Sequence, residues 1–134
     1  MEPIAEGNPP VVTQTVLVVD DDDRIRALLR MSLAALGFEV TAAGGGGEAL
    51  ALLAGEDYDA VLCDLIMPEM SGDELFRICR ERWPHRASHF IFLSGYPAGF
   101  PAAEFALASG QPFLAKPCRL SEIRLAIERV GAAG

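Results

Sequence analysis

The feature that most constrains this chain is a repeated one. A short apolar run ends abruptly on a residue that carries charge or donates a hydrogen bond. Val16-Leu17-Val18-Val19 ends on Asp20 and Asp21, and Ala60-Val61-Leu62-Cys63 on Asp64. Phe90-Ile91-Phe92-Leu93 ends on Ser94, and Phe113-Leu114-Ala115 on Lys116. Runs this short, apolar at consecutive positions, read as strands buried on both faces. A carboxylate at the mouth of such a strand is costly unless something binds it.

Helical patterns alternate with the runs. Asp22 or Asp23 caps a helix whose Ile25, Leu28, Leu29, Leu33 and Leu36 share one face, and Gly37 stops it. A second strand is expected over Phe38–Ala43, a glycine turn over Gly44–Gly47 and a short helix over Glu48–Ala54. Ser71 and Glu74 have capping-box spacing and open a helix with Leu75, Ile78 and Cys79 inward, ended by Trp83-Pro84. Prolines and glycines between 95 and 112 leave room only for a short helix near Ala102–Ala108. The last helix carries Leu120, Ile123, Ile127 and Val130, with Arg119 at its start. Arg119 cannot accept from free helix N–H groups, so fraying is expected there.

Five strands, each followed by a helix, imply a parallel sheet of the doubly wound α/β class with helices on both faces. Right-handed crossovers restrict the topology, and ligands bind beyond the carboxyl ends of the strands. That rule gathers Asp20, Asp21, Asp64, Ser94 and Lys116 at one edge. Together they suit a Mg²⁺ ion and a phosphoryl group.

Composition excludes several classes. The 134 residues fit one domain, 51% apolar and 22% charged, a globular balance. No apolar stretch reaches the roughly 20 residues that span a bilayer, and residues 1–6 lack the pattern of a secretory signal, so a cytoplasmic protein is expected. A net charge of −8 disfavours direct nucleic-acid binding. Arg77, Arg80, Arg82, His85 and Arg86 read as a solvated helix face, and His85 and His89 as surface or strand-edge residues. Cys63, Cys79 and Cys118 read as small core residues. The expected organisation is a flexible tail over 1–14, the domain over 15–130 and a short tail over 131–134.

Val18-Val19-Asp20-Asp21, Asp64-Leu65-Ile66-Met67-Pro68-Glu69-Met70-Ser71-Gly72, Leu93-Ser94-Gly95 and Lys116-Pro117 resemble, in order and spacing, the response-regulator receiver domain of two-component signalling. The resemblance covers roughly residues 15–130. It implies a flavodoxin-like five-stranded sheet in the order 2-1-3-4-5. It makes Asp64 the acceptor of a phosphoryl group from a sensor histidine kinase or a histidine phosphotransfer domain. Asp20, Asp21, Asp64 and the Ile66 backbone carbonyl would hold Mg²⁺, or Mn²⁺ in its place. Ser94 and Lys116 would contact the phosphoryl oxygens, and Lys116–Pro117 would be cis. Ser94 and Phe113 would form the switch that reshapes a face read by a downstream protein. A homodimer is compatible with the family.

This chain departs from the family at particular places. Phe113 stands for a frequent tyrosine, Cys118 for a frequent phenylalanine and Arg119 for a capping residue. Ile66 and Tyr96 are bulky where hydrolytic water approaches in the family, which implies slow loss of phosphate. Two other functions compete: a receiver-like scaffold acting without phosphorylation, and a phosphatase of the haloacid-dehalogenase type. For the latter, Arg24 and the lack of an acidic pair after Lys116 fit poorly. The glycine-rich stretch near 43–48 and Gly110–Pro117 also resemble receivers of hybrid sensor kinases, so an excised domain and a stand-alone regulator both remain open.

Overall fold

The computed structural model describes residues 14–95 and 100–133. Nearly all of the expected N-terminal tail, and Tyr96, lie outside the described residues. Five strands run β1 (Thr15–Val19), β2 (Glu39–Ala43), β3 (Ala60–Asp64), β4 (Phe90–Ser94) and β5 (Phe113–Ala115). Between and after them lie α1 (Asp23–Ala35), α2 (Gly46–Gly55), α3 (Gly72–Arg82), α4 (Pro84–Ala87), α5 (Pro101–Ala108) and α6 (Leu120–Ala133). The sheet is parallel throughout, in the order β2-β1-β3-β4-β5.

The period-2 alternation of strands divides the core in two. Leu17, Val19, Val61, Cys63, Phe90 and Phe92 face α2, α3, α4 and α5. Val16, Val18, Ala60, Leu62, Ile91 and Leu93 face α1 and α6. Both faces of β1, β3 and β4 are buried, which is why these runs are apolar at every position.

Helix starts follow local chemistry. Asp22 caps α1, its Oδ1 accepting from the Arg24 and Ile25 N–H groups at 2.9 and 3.1 Å. Glu74 Oε1 accepts from the Ser71 N–H and hydroxyl at the start of α3. Pro101 opens α5 at the position where a missing N–H costs nothing. Gly37 ends α1 with φ +101°.

Several local expectations change. Leu28 is 65% exposed and Leu36 is also exposed, leaving Leu33 as the buried residue of α1. The inward face of α3 uses Phe76 rather than Ile78, because Phe76 packs edge-on against Phe90 and Phe92. His89 is buried, its Nδ1 2.8 Å from the Tyr58 carbonyl oxygen. The basic face is partly stacked: the Arg77 guanidinium lies 4.2 Å from the Phe105 ring centroid. The Arg119 N–H is not left free, because the Glu122 carboxylate accepts from it at 2.8 Å. The α6 helix continues to Ala133, past residue 130.

Gly72 is the tightest point behind the site. A Cβ there would lie 2.5 Å from the Asp64 carbonyl oxygen, whereas one at Gly46 would meet the flexible Met70 side chain. Gly72→Ala is therefore expected to cost about 1–3 kcal/mol, and Gly46→Ala less, in urea unfolding. Equal losses would show that α3 can back away from β3.

Candidate functional site

Asp20, Asp64 and Lys116 converge because of register. Val18 pairs with Leu62, and Leu93 pairs with both Asp64 and Leu114. Continued by two residues, the same parity puts Asp20 beside Asp64 and Lys116 just beyond. Ser94, at the end of β4, is buried, and its carbonyl oxygen accepts from the Lys116 N–H at 2.7 Å. The Lys116–Pro117 bond is cis.

Lys116 Nζ lies 3.3 Å from Asp20 Oδ2 and 3.5 Å from Asp64 Oδ1. Asp20 and Asp64 are buried, while Asp21 is exposed beside them. One carboxylate oxygen from each of the three lies within 4.8 Å of the others. The Asp22 N–H donates to Asp20 Oδ1 at 2.9 Å and holds that carboxylate in place. Burial pushes the Asp64 carboxyl from its usual 3.8 up to about 6; Lys116 pulls it down, while Asp20 and Asp21 add to the rise. Burial pulls the Lys116 ammonium down, but Asp64 and Asp20 outweigh it and hold it above its ordinary value.

Three carboxylates against one ammonium leave two negative charges in a partly desolvated cleft. A hard divalent cation cancels them, and an all-oxygen donor set suits Mg²⁺. The residues present therefore fit the ion.

The other expected residues lie near this centre. Ile66 follows Asp64 on the rim and is 37% exposed. Phe113 pairs with Phe92 across β4 and β5 and packs, half-buried, against the α2–α5 side of the core. Gly95 is not demanded by space, since a Cβ there would make only an ordinary 3.9 Å contact with Lys116 Cβ. The glycine turn after β2 does not project a cradle: the Gly44 N–H donates to Glu48 Oε1 at 2.9 Å. Sequence reading passed over Arg26, whose Nη1 donates to the Asp20 carbonyl oxygen at 2.8 Å. Its only signal in the sequence is the spacing of three from Asp23, which it also contacts.

Comparison with known proteins decides the family. The response regulator receiver domain model matches residues 16–128. The chain belongs to the response-regulator receiver family. The transcriptional regulatory protein SrrA of Staphylococcus aureus is 32% identical over 117 residues, 87% of this chain and 47% of its own length. The chain thus spans about half the length of that curated relative. A receiver domain from Clostridium thermocellum superposes with a TM-score of 0.81 at 28% identity, over 90% of this chain and 95% of the other. A CheY-like receiver from Methanospirillum hungatei gives 0.79 at 27%, over 92% and 100%. The receiver's sheet order is the expected 2-1-3-4-5. No helix among the described residues is long and apolar enough to cross a membrane.

The raised Asp64 pKa has a consequence for stability. A carboxyl that is harder to ionise folded than unfolded costs nothing below about pH 3.8, and its cost grows to full size above about pH 6. In metal-free buffer, Asp64→Asn should raise the Tm by roughly 3–6 °C at pH 7.5 and leave it unchanged near pH 3.5. A thermal melt series across pH checks this. A gain of equal size at both pH values would exclude ionisation of Asp64 as the cause.

Proposed function

We propose that this receiver takes a phosphoryl group onto Asp64 and passes the signal on by a change of conformation. The observation that carries the reading is the meeting of Lys116 with two buried carboxylates, Asp20 at 3.3 Å and Asp64 at 3.5 Å, with Asp21 completing the acidic set. Such a set holds a divalent cation and leaves one carboxylate oxygen to act as nucleophile.

The donor is a phosphohistidine of a sensor kinase or phosphotransfer domain, or a small acyl phosphate. An Asp64 carboxylate oxygen attacks phosphorus. From a phosphohistidine the P–N bond breaks, and the departing imidazole keeps the electron pair and takes up a proton; from an acyl phosphate the P–O bond breaks, and the departing carboxylate keeps the pair. Asp20, Asp21, Asp64 and the Ile66 carbonyl would hold a Mg²⁺ ion, which would neutralise charge on the transferring group. The Lys116 ammonium pairs with a second phosphoryl oxygen, and the Ser94 hydroxyl donates to a third. With a pKa near 6, Asp64 is mostly ionised at pH 7 and ready to attack.

The product adds charge of about −1.5 to −2 beside Lys116 and Ser94. The two residues are linked through the Lys116 N–H bond to the Ser94 carbonyl, and Ser94 stands opposite Ala115 on β5. That path leads to Phe113, whose ring lies on the α2–α5 side of the sheet. The downstream protein reads that region.

Incubation with Mg²⁺ and acetyl phosphate, followed by intact mass, tests the reading. One phosphoryl adduct should form on the wild type and none on Asp64→Asn. Lys116→Met and Ser94→Ala should slow its formation by about 10-fold or more. Turnover of phosphomonoesters, or an adduct that persists in Asp64→Asn, would refute it. Chelation by EDTA should abolish the adduct, and Mn²⁺ should restore it.

Ile66 shields the approach to the acyl phosphate, so its loss should be slow. Ile66→Asn is expected to speed dephosphorylation by about 3- to 10-fold, since a polar side chain can bind the attacking water. A decay rate unchanged by that substitution would remove the shielding role.

A further inference from the structure

We infer that Arg26 is a positioning residue: it fixes the Asp20–Asp21 peptide so that the exposed Asp21 carboxylate stands ready for the cation. The inference rests on the reading of Asp20, Asp21 and Asp64 as a Mg²⁺ site.

Asp21 needs such help. It is exposed, and no hydrogen bond or ion pair to its carboxylate forms among the described residues. Asp20 and Asp64 are held by burial and by Lys116. With no such partner on its carboxylate, Asp21 depends on its backbone for the direction of its Cα–Cβ bond. That backbone begins at the Asp20 carbonyl, just where the β1 ladder runs out. The Asp20 N–H is still taken by the Ala43 carbonyl oxygen at 3.2 Å. The Asp20 carbonyl oxygen is taken by Arg26 Nη1 at 2.8 Å. One end of the turn is thus tied to β2 and the other to α1.

The guanidinium is itself held. Arg26 Nη2 donates to Asp23 Oδ1 at 2.6 Å, and its side chain is only 23% exposed. It lies against Gly44, where a Cβ would come within 3.5 Å of Nη1. The planar fork therefore grips a backbone carbonyl through Nη1 and a carboxylate through Nη2, with a fixed spread of donors that a compact ammonium does not reproduce. Arg26 acts on the backbone: its Nη1 meets the Asp20 carbonyl oxygen, whereas the leading charges on the Asp64 carboxyl are Lys116, Asp20 and Asp21. A bond that orients a metal ligand without touching the metal commonly controls affinity about 10- to 100-fold.

Isothermal titration of Mg²⁺ into the unphosphorylated, metal-free protein tests this, with thermal melts of each variant alongside. Arg26→Ala should weaken Mg²⁺ binding roughly 10-fold while the protein remains folded. Arg26→Lys should fall between wild type and Arg26→Ala, because an ammonium can reach the carbonyl but lacks the rigid second arm of the fork; it decides the matter if Arg26→Ala does not fold. Asp23→Asn keeps the carbonyl contact and should change Mg²⁺ affinity less than Arg26→Ala. A lower Tm with unchanged Mg²⁺ affinity in both Arg26 variants would overturn the inference and leave Arg26 a helix-stabilising residue. Failure of the wild type to bind Mg²⁺ would overturn the metal reading itself, and the positioning role with it.

Discussion

The structure depends on one electrostatic constraint: three carboxylates crowd the carboxyl edge of the sheet against a single ammonium. Asp20 and Asp64 are buried there although burial opposes their charge. Lys116 reaches both, but it cancels only one charge of three. The rest of the fold accommodates that imbalance. Parallel strands bring the groups to one edge, the register of the buried ladder sets Asp20 beside Asp64, and the Asp22 N–H steadies Asp20. The local cost appears in the Asp64 carboxyl, pushed up to about 6. Carboxyls perturbed in this way cluster at functional sites.

Much of this was legible in the sequence because strands buried on both faces leave no choice of residue. Val16–Val19, Ala60–Cys63 and Phe90–Leu93 could only be interior strands, and the polar residues ending them could only lie at the sheet's edge. Amphipathic helices were less legible. The apolar positions of α1 outnumber those the sheet can cover, so Leu28 faces solvent while Leu33 fills the core. Periodicity alone could not separate them. In α3 the choice of Phe76 over Ile78 follows from a three-ring contact with Phe90 and Phe92, which only the tertiary arrangement creates.

Backbone hydrogen bonds were the least legible part of the site. A carbonyl oxygen has no letter in a sequence, so nothing marked the Asp20 carbonyl as the partner of Arg26. The buried His89 was missed for the same reason, since its Nδ1 partner is the Tyr58 carbonyl oxygen. Arg119 shows the converse. Its side chain is a poor cap, but Glu122 three residues later accepts from its N–H, so the start of α6 is closed from inside the helix.

The two halves of the core are built from different side chains. Towards α1 and α6 the packing is mainly aliphatic, and Leu114 and Cys118 lie on that side. Towards α3 and α5 it is aromatic: Phe76 meets Phe90, Phe92 and Phe105 at centroid distances of 5.4–6.0 Å, and Arg77 closes over Phe105. Phe113 belongs to this aromatic side. Phe113 itself is only partly buried against that cluster and makes none of its edge-to-face pairs. As a phenylalanine it carries no hydroxyl, so its ring is held on the sheet by packing alone.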